Sequence, residues 1–443
     1  MKKAENLSDI VNVFSPKPLK AEDNAFYQKT AVVRSGENYE CHSSILTKIN
    51  QSDGNLHLLL IGHGGCGKST ELRMLAGDLK KNGSPTVIIE ALDDLSLNDF
   101  TYIDIFMLIV KKLIEYADSN KLAVPGKILE AFEAALSTKT IDKYKQRDAS
   151  VAAKAEANAA SSILANVLGL LINITASLKL GSGIKEELRR EIKPMMTEIT
   201  IAVNALINEI NNLTNKNGKN GRVVIIIDGL EKCHYETVKK LFVDDVTAIK
   251  SIDTHIVISC PIALYRSPDA SILLNCFDLP EEMPMIKTHN SDKDITPYTE
   301  GISVIKDLIL KRADESLFED DVLEEIIKMG GGNLRDTFLL LTNSAHIARM
   351  NEKVKIDKES SERTFKKYAF DLFIRVRADL YAYIKPIYER SHNPVNSPEL
   401  TQLLYACVVF EYNGERWVDL HPLIRRYIDN NPEVIGCEKP TPL

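Results

Sequence analysis

The sequence is poor in the features that would mark a disulfide-rich, zinc-binding or strongly basic protein. Its 443 residues include one tryptophan and seven scattered cysteines without a C-x-x-C pair. This spacing fits reduced thiols in a cytosolic protein better than disulfides or a zinc site. Lys and Arg number 55 against 62 Asp and Glu, a net charge of −7. Bulk attraction to nucleic acid or anionic membrane is therefore not expected, although a local basic patch is compatible with this charge.

Long apolar runs are also missing. Ser161 to Gly181 is the most apolar stretch of its region, but it is interrupted by Asn166, Asn173, Thr175 and Lys179. A membrane span needs about 20 predominantly apolar residues, so a partly buried helix is expected ahead of a transmembrane or interfacial one. The opening residues MKKAENLSD contain no apolar segment of a signal peptide. We therefore expect no secretion signal, no transmembrane anchor and a cytoplasmic location.

One short segment is rich in glycine and fits the phosphate-binding pattern G-x-x-x-x-G-K-[ST]. It consists of Gly62, His63, Gly64, Gly65, Cys66, Gly67, Lys68, Ser69 and Thr70. Glycines let the backbone curl so that its N–H groups point at phosphates, and the following helix adds its positive end. The pattern predicts that Lys68 holds the phosphates of a nucleotide and that Ser69 binds Mg²⁺. The thiol of Cys66 has no evident role.

Five apolar, β-branched segments predict the strands of a parallel sheet with helices on both faces, an α/β fold. They are His57–Ile61, Thr86–Glu90, Val223–Asp228, His255–Cys260 and Met283–Thr288. In such sheets ligands bind outside the carboxyl ends of the strands. The glycine-rich segment follows the first predicted strand, so it lies at that edge.

Two polar residues end predicted strands beside the glycine-rich segment. Asp228 ends the most apolar strand, where a carboxylate is costly without a cation, so Mg²⁺ is its expected partner; an Asp that only caps the next helix is the alternative. Ser259 ends another strand. It is a candidate for contacting the γ-phosphate or the attacking water, or for no role at all.

The remaining sequence predicts mostly helices. Residues 121–220 are helix-rich, with an alanine run at 152–160 and an apolar seam from Leu188 to Leu213 that Pro194 begins or kinks. A helix that ends at three glycines, 330–332, is followed by another. From residue 362 onward come further helices and a hairpin around Asn413-Gly414.

Together these motifs resemble the AAA+ and STAND branch of P-loop ATPases, including bacterial ATPases related to archaeal origin-binding initiators. Asp228-Gly229-Leu230-Glu231 resembles their Walker B signature, and Gly332-Asn333-Leu334-Arg335 resembles the sensor-2 segment of their lids. The resemblance implies an ASCE/AAA+-like core at 1–290 with a helical insertion at about 121–220, a lid at 291–361 and a winged-helix-like unit at 362–443. It also assigns nucleotide contact to Arg335 and the sensor-1 role to Ser259.

Two positions depart from the family pattern. Gly229 stands where most AAA+ enzymes have the catalytic Glu, so the base that orients water would be Glu231 or, alternatively, Glu90. Arg266 is the only arginine between Ser259 and Arg312, but it stands earlier than arginine fingers usually do. Arg266 is therefore either a finger or a surface salt bridge.

The function expected from these residues is an ATP- and Mg²⁺-dependent switch, possibly with slow hydrolysis, that couples nucleotide state to homo-oligomerisation or a protein effector. The resemblance implies bacterial signalling or phage defence as settings. A DNA-binding initiator or transposition-type ATPase is the alternative. It is disfavoured because 391–410 contain no Lys or Arg. A small-molecule kinase lacks any recognisable acceptor site.

Overall fold

The computed structural model describes residues 2–137, 161–180, 182–216, 221–278, 280–391, 396–412 and 417–436. Two sequence predictions lie outside these residues. They are the alanine run at 152–160 and the turn at Asn413-Gly414.

The centre of the structure is a five-stranded, all-parallel sheet in the order β2-β3-β4-β1-β5. Its strands are β1 (His57–Gly62), β2 (Thr86–Glu90), β3 (Val224–Asp228), β4 (His255–Pro261) and β5 (Glu281–Met283). β1, β3 and β4 are buried along their whole length, as expected for strands covered on both faces. The predicted α/β fold with a parallel sheet is confirmed.

The last strand differs from its prediction. The apolar segment Met283–Thr288 was expected to form it, but β5 is Glu281–Met283 and pairs only with β1. Pro284 follows immediately and has no N–H to donate to the ladder. Beyond it, Met285 makes a single bridge to Tyr412 in the C-terminal part of the chain.

Helices cover the sheet as the spacing of apolar residues predicts. Up to residue 136 they are α1 (Leu7–Val13), α2 (Ala31–Ser35), α3 (Cys41–Gln51), α4 (Lys68–Lys81), α5 (Ala91–Asp94), α6 (Tyr102–Ser119) and α7 (Gly126–Leu136), with a 3₁₀ helix at Ala21–Phe26. Further on they are α8 (Ser161–Leu180), α9 (Ser182–Ile192), α10 (Met196–Lys216), α11 (Tyr235–Val243), α12 (Val246–Lys250), α13 (Ile262–Tyr265) and α14 (Ala270–Cys276). Pro194 lies in a 3₁₀ turn that joins α9 to α10, which agrees with its predicted effect.

The C-terminal third is helical apart from one pair of short antiparallel strands. Its helices are α15 (Thr299–Leu310), α16 (Val322–Gly330), α17 (Leu334–Met350), α18 (Lys358–Phe373), α19 (Tyr381–Tyr388), α20 (Pro398–Tyr405) and α21 (Pro422–Asn430). The strands β6 (Val409–Glu411) and β7 (Val418–Leu420) pair in the predicted hairpin region.

Hydrophobic packing joins parts that are distant in sequence. One apolar cluster unites a face of the sheet with α6 to α10. A second unites α1 with α15 to α21, and the ring centroids of Phe14 and Phe338 lie 5.2 Å apart. A third joins the other sheet face and α4 to aromatic residues of the hairpin. The proposed domain boundaries at 290 and 361 stay a prediction.

A buried ion pair fastens the helical insertion to the core. The guanidinium of Arg189 on α9 donates two hydrogen bonds, of 2.9 and 3.0 Å, to the carboxylate of Asp104 on α6. Both side chains are almost fully buried. A third bond of 2.9 Å runs from Arg189 to Asp99.

Replacing Arg189 with Met should lower the free energy of unfolding by about 3 to 5 kcal/mol, because the carboxylate of Asp104 would stay buried without its partner. Chemical denaturation measures this loss. Arg190→Met, at the exposed neighbouring position, is the control. An equal effect of the two substitutions would contradict the structural role assigned to the ion pair.

Candidate nucleotide site

The glycine-rich segment forms a loop between β1 and the N-terminus of α4. Gly65 and Gly67 adopt φ values of +90° and +116°, which favour glycine. The ammonium group of Lys68 is buried inside the loop and donates to the carbonyl oxygens of Gly62 (3.0 Å) and His63 (2.8 Å). The strand, glycine loop and helix thus have the geometry of a phosphate cradle.

Two carboxylates lie buried beside this loop. Asp228 ends β3, and one of its oxygens, Oδ1, has no hydrogen-bond partner among the described residues. Burial and the negative charge of Glu231 raise the pKa of Asp228, against a hydrogen bond from Ser69. A buried carboxylate oxygen without a partner, next to a serine hydroxyl, fits a magnesium ion or its water shell.

Glu231 lies in the 3₁₀ turn Leu230–Lys232 that follows β3. One of its oxygens is 3.9 Å from Nζ of Lys68. Burial opposes ionisation of Glu231, but the positive charges of Lys68 and Lys232 outweigh it and lower the pKa of this carboxyl. Glu231 is therefore a charged group that borders the cradle.

Ser259 lies behind this turn. Its hydroxyl oxygen accepts hydrogen bonds from the N–H groups of Gly229 (2.8 Å) and Leu230 (3.3 Å), and the hydroxyl donates to Glu231 (3.3 Å). The side chain is fully buried. This geometry lets Ser259 hold the turn and orient Glu231. The hydrogen bonds of Ser259 are thus made to the turn and to Glu231, and its predicted contact with the γ-phosphate stays a prediction.

Glu90 ends β2 opposite Asp228 in the sheet register, but it is engaged elsewhere. Its carboxylate accepts a 2.7 Å hydrogen bond from Arg73, and both side chains are about one-third exposed. Of the two candidate bases, Glu231 borders the nucleotide cavity and Glu90 does not.

The N-terminus of α17 rests directly on the glycine loop. The side-chain amide of Asn333 donates to the carbonyl of Gly64 (3.0 Å), and the backbone N–H of Arg335 donates to the carbonyl of Gly65 (3.3 Å). A Cβ on Gly65 would stand 2.2 Å from the Asn333 side chain, so only glycine fits this contact. Arg335 is thereby held against the loop and borders the nucleotide cavity, and its contact with a nucleotide stays a prediction.

Arg266 is not at the cavity and is not a surface salt bridge either. Its guanidinium donates to both carboxylate oxygens of Glu411 on β6, at 2.7 to 3.1 Å, and to Glu282 at 2.7 Å. The residue is only 8% exposed. An arginine-finger role would require this buried pair to separate.

The loop also contacts the C-terminal hairpin. Nε2 of His63 accepts a 2.8 Å hydrogen bond from the backbone N–H of Glu411, and its ring packs on Phe410. Burial, together with the charges of Lys68 and Arg266, lowers the pKa of His63 to about 3. Cys66 is a fully buried residue of the loop and borders the nucleotide cavity. His63 thus links the P-loop to the hairpin as a neutral acceptor.

The first 34 residues supply a wall of the cavity that the sequence analysis left without a function. Pro16 to Leu19, Tyr27 and Thr30 line it together with Gly65 to Glu71 and lid residues. Arg34 donates to the carbonyl of Cys66 (2.7 Å), which supports the loop from below. The signal in the sequence was the presence of apolar residues in this otherwise polar segment, which indicates packing against the core. These residues are Leu19, Phe26 and Tyr27.

Arg312, just after α15, lines the same cavity. Burial lowers the pKa of Arg312 to about 10, and its guanidinium lies over the ring of Phe338. The cavity has a volume of about 110 Å³. Pockets for small molecules are commonly about 300 to 1,000 Å³, so a whole nucleotide requires its walls to move.

Comparison with known families places this loop in context. Residues 40–258 match the model of the KAP family P-loop domain. The matched segment holds the glycine loop, β1 to β3 and most of β4, and it has the P-loop NTPase fold. It ends before β5 and the C-terminal part of the chain. A search of curated proteins found no match.

Solved structures give distant similarities over most of the chain. Cdc6p from Pyrobaculum aerophilum is 13% identical, with 96% of each chain covered and a TM-score of 0.37. ORC2 from Aeropyrum pernix, in ADPNP–ADP complexes, is 10% identical over 93% of this chain and 97% of that one, with a TM-score of 0.39. The RuvB branch migration motor of Thermotoga maritima is 12% identical over 94% and 99%, with a TM-score of 0.35. Scores this low carry no conclusion about ligands.

Two absences apply to the described part of the chain. None of its helices, α8 included, is both long and apolar enough to cross a bilayer. It also contains no cluster of three His, Cys, Asp or Glu side chains that could bind a metal by themselves. A Mg²⁺ ion at Ser69 and Asp228 would therefore depend on nucleotide oxygens for further ligands.

The buried neutral His63 should make stability depend on pH. The folded pKa of about 3 lies below the value of about 6.5 for an exposed histidine. The contribution of neutral His63 to the free energy of unfolding is complete above about pH 6.5. It falls as pH decreases toward 3, by up to about 1.4 kcal/mol per pH unit. His63→Gln should remove this component in urea titrations between pH 4 and 7. The exposed His346→Gln should not, and parallel curves for wild type and His63→Gln would contradict the assignment.

Proposed function

We propose that the protein is an ATP-binding switch that hydrolyses ATP slowly and transmits nucleotide state to its C-terminal part. The observation that carries the proposal is that three neighbouring loop residues are held from two sides. Gly64 and Gly65 bind the lid through Asn333 and Arg335, while His63 binds the hairpin through Glu411. Occupation of the loop by phosphates would thus act on both parts directly.

The proposed chemistry uses the residues around the cradle. Lys68 would exchange its two loop carbonyls for the phosphates, and Ser69 with Asp228 would hold Mg²⁺, which neutralises phosphate charge when bound. Glu231, held by Ser259, would accept a proton from the attacking water. The nearby charge of Lys68 lowers the pKa of Glu231 and keeps its carboxyl ionised, as a general base requires.

Glu411 would carry the signal onward. Its N–H binds the loop through His63, while its carboxylate holds Arg266. A movement of the hairpin away from the loop would therefore break the pair of Glu411 with Arg266 and leave Arg266 with Glu282. Arg266 could then contact a second copy or a protein effector, which would connect nucleotide state to assembly.

The setting proposed for this switch is bacterial signalling or phage defence, in the cytoplasm. This part rests on the resemblance of the Walker B and sensor-2 segments alone. A winged-helix-like character of residues 362–443 is proposed on the same ground and on the paired strands β6 and β7.

A DNA-binding role is the second candidate, and the charges of the C-terminal part weigh against it. Arg390 and Arg425 both pair with Asp419, and Arg426 pairs with Glu362. Arginines neutralised by internal carboxylates are poor phosphate ligands. A protein partner is therefore favoured over duplex DNA.

Glu231→Gln should reduce ATP turnover by about 100-fold or more, since it removes the general base, while nucleotide affinity is retained. Glu90→Gln should leave turnover unchanged because Glu90 is paired with Arg73. Steady-state phosphate release measures both. A large effect of Glu90→Gln, or none of Glu231→Gln, would show that the base is misassigned.

Addition of ATP and Mg²⁺ should accelerate amide hydrogen exchange at 409–412 about tenfold or more, the effect of a shift of 1.4 kcal/mol in local opening. Lys68→Ala should abolish the acceleration. Lys80→Ala, at an exposed position of the same helix, should preserve it. If wild type binds ATP and exchange at 409–412 does not change, the proposed switch is disproved. If wild type binds no ATP, the proposed nucleotide binding is disproved.

A further inference from the structure

A second cavity, of about 380 Å³, lies on the other side of the glycine loop. Its walls come from Gly62 to Gly64, the lid helix α17, helix α18 and the chain at 404–407. The nucleotide cavity instead follows the second half of the loop. Among the described residues, only Glu231 and Arg335 border both, so the two spaces are separate and share one wall.

The charges of this second cavity are unbalanced in favour of an anion. Arg335 and the exposed Arg375 border it, and within the part of the chain that the structure describes neither guanidinium makes a hydrogen bond or ion pair. Its acidic residues are engaged. Asp336 accepts a 2.8 Å hydrogen bond from Tyr368 and lies 3.4 Å from His421, and Glu231 faces Lys68.

The other walls are apolar. Leu339, Leu372, Leu404 and Ile262 contribute aliphatic surface, and the rings of Tyr368 and Tyr405 stand among them. The volume lies within the range of about 300 to 1,000 Å³ that small-molecule sites occupy. A bare phosphate ion would leave most of this surface uncovered, whereas an anion with an aromatic or aliphatic body would fill it.

We propose that this cavity binds a small organic anion, with its phosphate or carboxylate group between Arg335 and Arg375 and its apolar body against α17 and α18. Such a molecule would touch the loop, the lid and the C-terminal part at once. It would also occupy Arg335, which the nucleotide needs. The bound anion would therefore stabilise the arrangement seen here, in which α17 and the hairpin contact the glycine loop, and oppose nucleotide binding. The binding part of this inference does not depend on the proposed switch.

The fluorescent probe 1-naphthyl phosphate tests the site in the full chain. Wild type should bind one equivalent, and Arg375→Met should weaken binding about tenfold or more, the loss of a charge-assisted contact. Arg363→Met, at an exposed position of α18, the helix that ends two residues before Arg375, is the control and should bind as wild type does. Arg312→Met, which changes a wall of the nucleotide cavity only, should also bind normally. Arg375→Glu provides a second variant and should bind more weakly still.

The coupling is measured with a non-hydrolysable ATP analogue. Its dissociation constant should rise when the probe is present with wild type, and not with Arg375→Met. Equal binding of the probe by wild type and both Arg375 variants would overturn the site. Loss of binding in Arg312→Met alone would place the probe in the nucleotide cavity and overturn it too. An unchanged affinity for the analogue would overturn the coupling, whereas failure of wild type to bind the analogue would count against the proposed function only.

Discussion

Charge burial at one edge of the sheet is the constraint on which the arrangement depends. The side chains of Asp228, Glu231 and Lys68 are almost fully buried at this edge, and Glu231 lies 3.9 Å from Lys68. These carboxylates are costly in a protein interior without positive charge nearby, which Lys68 and Lys232 supply. Ser259 fixes the turn that brings Glu231 to this edge. A metal ion, as proposed for Ser69 and Asp228, would add positive charge at the same place.

The same loop is also a meeting point of three parts of the chain. Its carbonyl oxygens at Gly64 and Gly65 accept from the lid, and His63 accepts from the hairpin. The second cavity opens between these contacts. A P-loop that faces solvent lacks such contacts with the rest of its chain. Here a ligand on either side of the loop would act on the same few hydrogen bonds.

Much of the fold could be predicted from sequence because local patterns specify it. Four of five strands end within one residue of their apolar runs, and the glycine loop follows from the demands of positive φ at Gly65 and Gly67. The displaced fifth strand shows the limit: an apolar run favoured a later strand, but Pro284 prevented it. The cavity wall formed by residues 16–30 and the pairing of Arg266 with Glu411 could not be predicted, since both depend on contacts between segments 50 to 150 residues apart. No local spacing records such contacts.

The packing of Phe14 on Phe338 has a consequence for how the nucleotide cavity can open. Helix α1 shares its apolar cluster with the lid, and the segment that follows it lines the cavity. Moving α17 away from the loop without α1 would therefore break this shared cluster and expose its apolar surface. In the proposed switch, a movement that keeps α1 packed on α17 would carry Pro16 to Leu19 along with it.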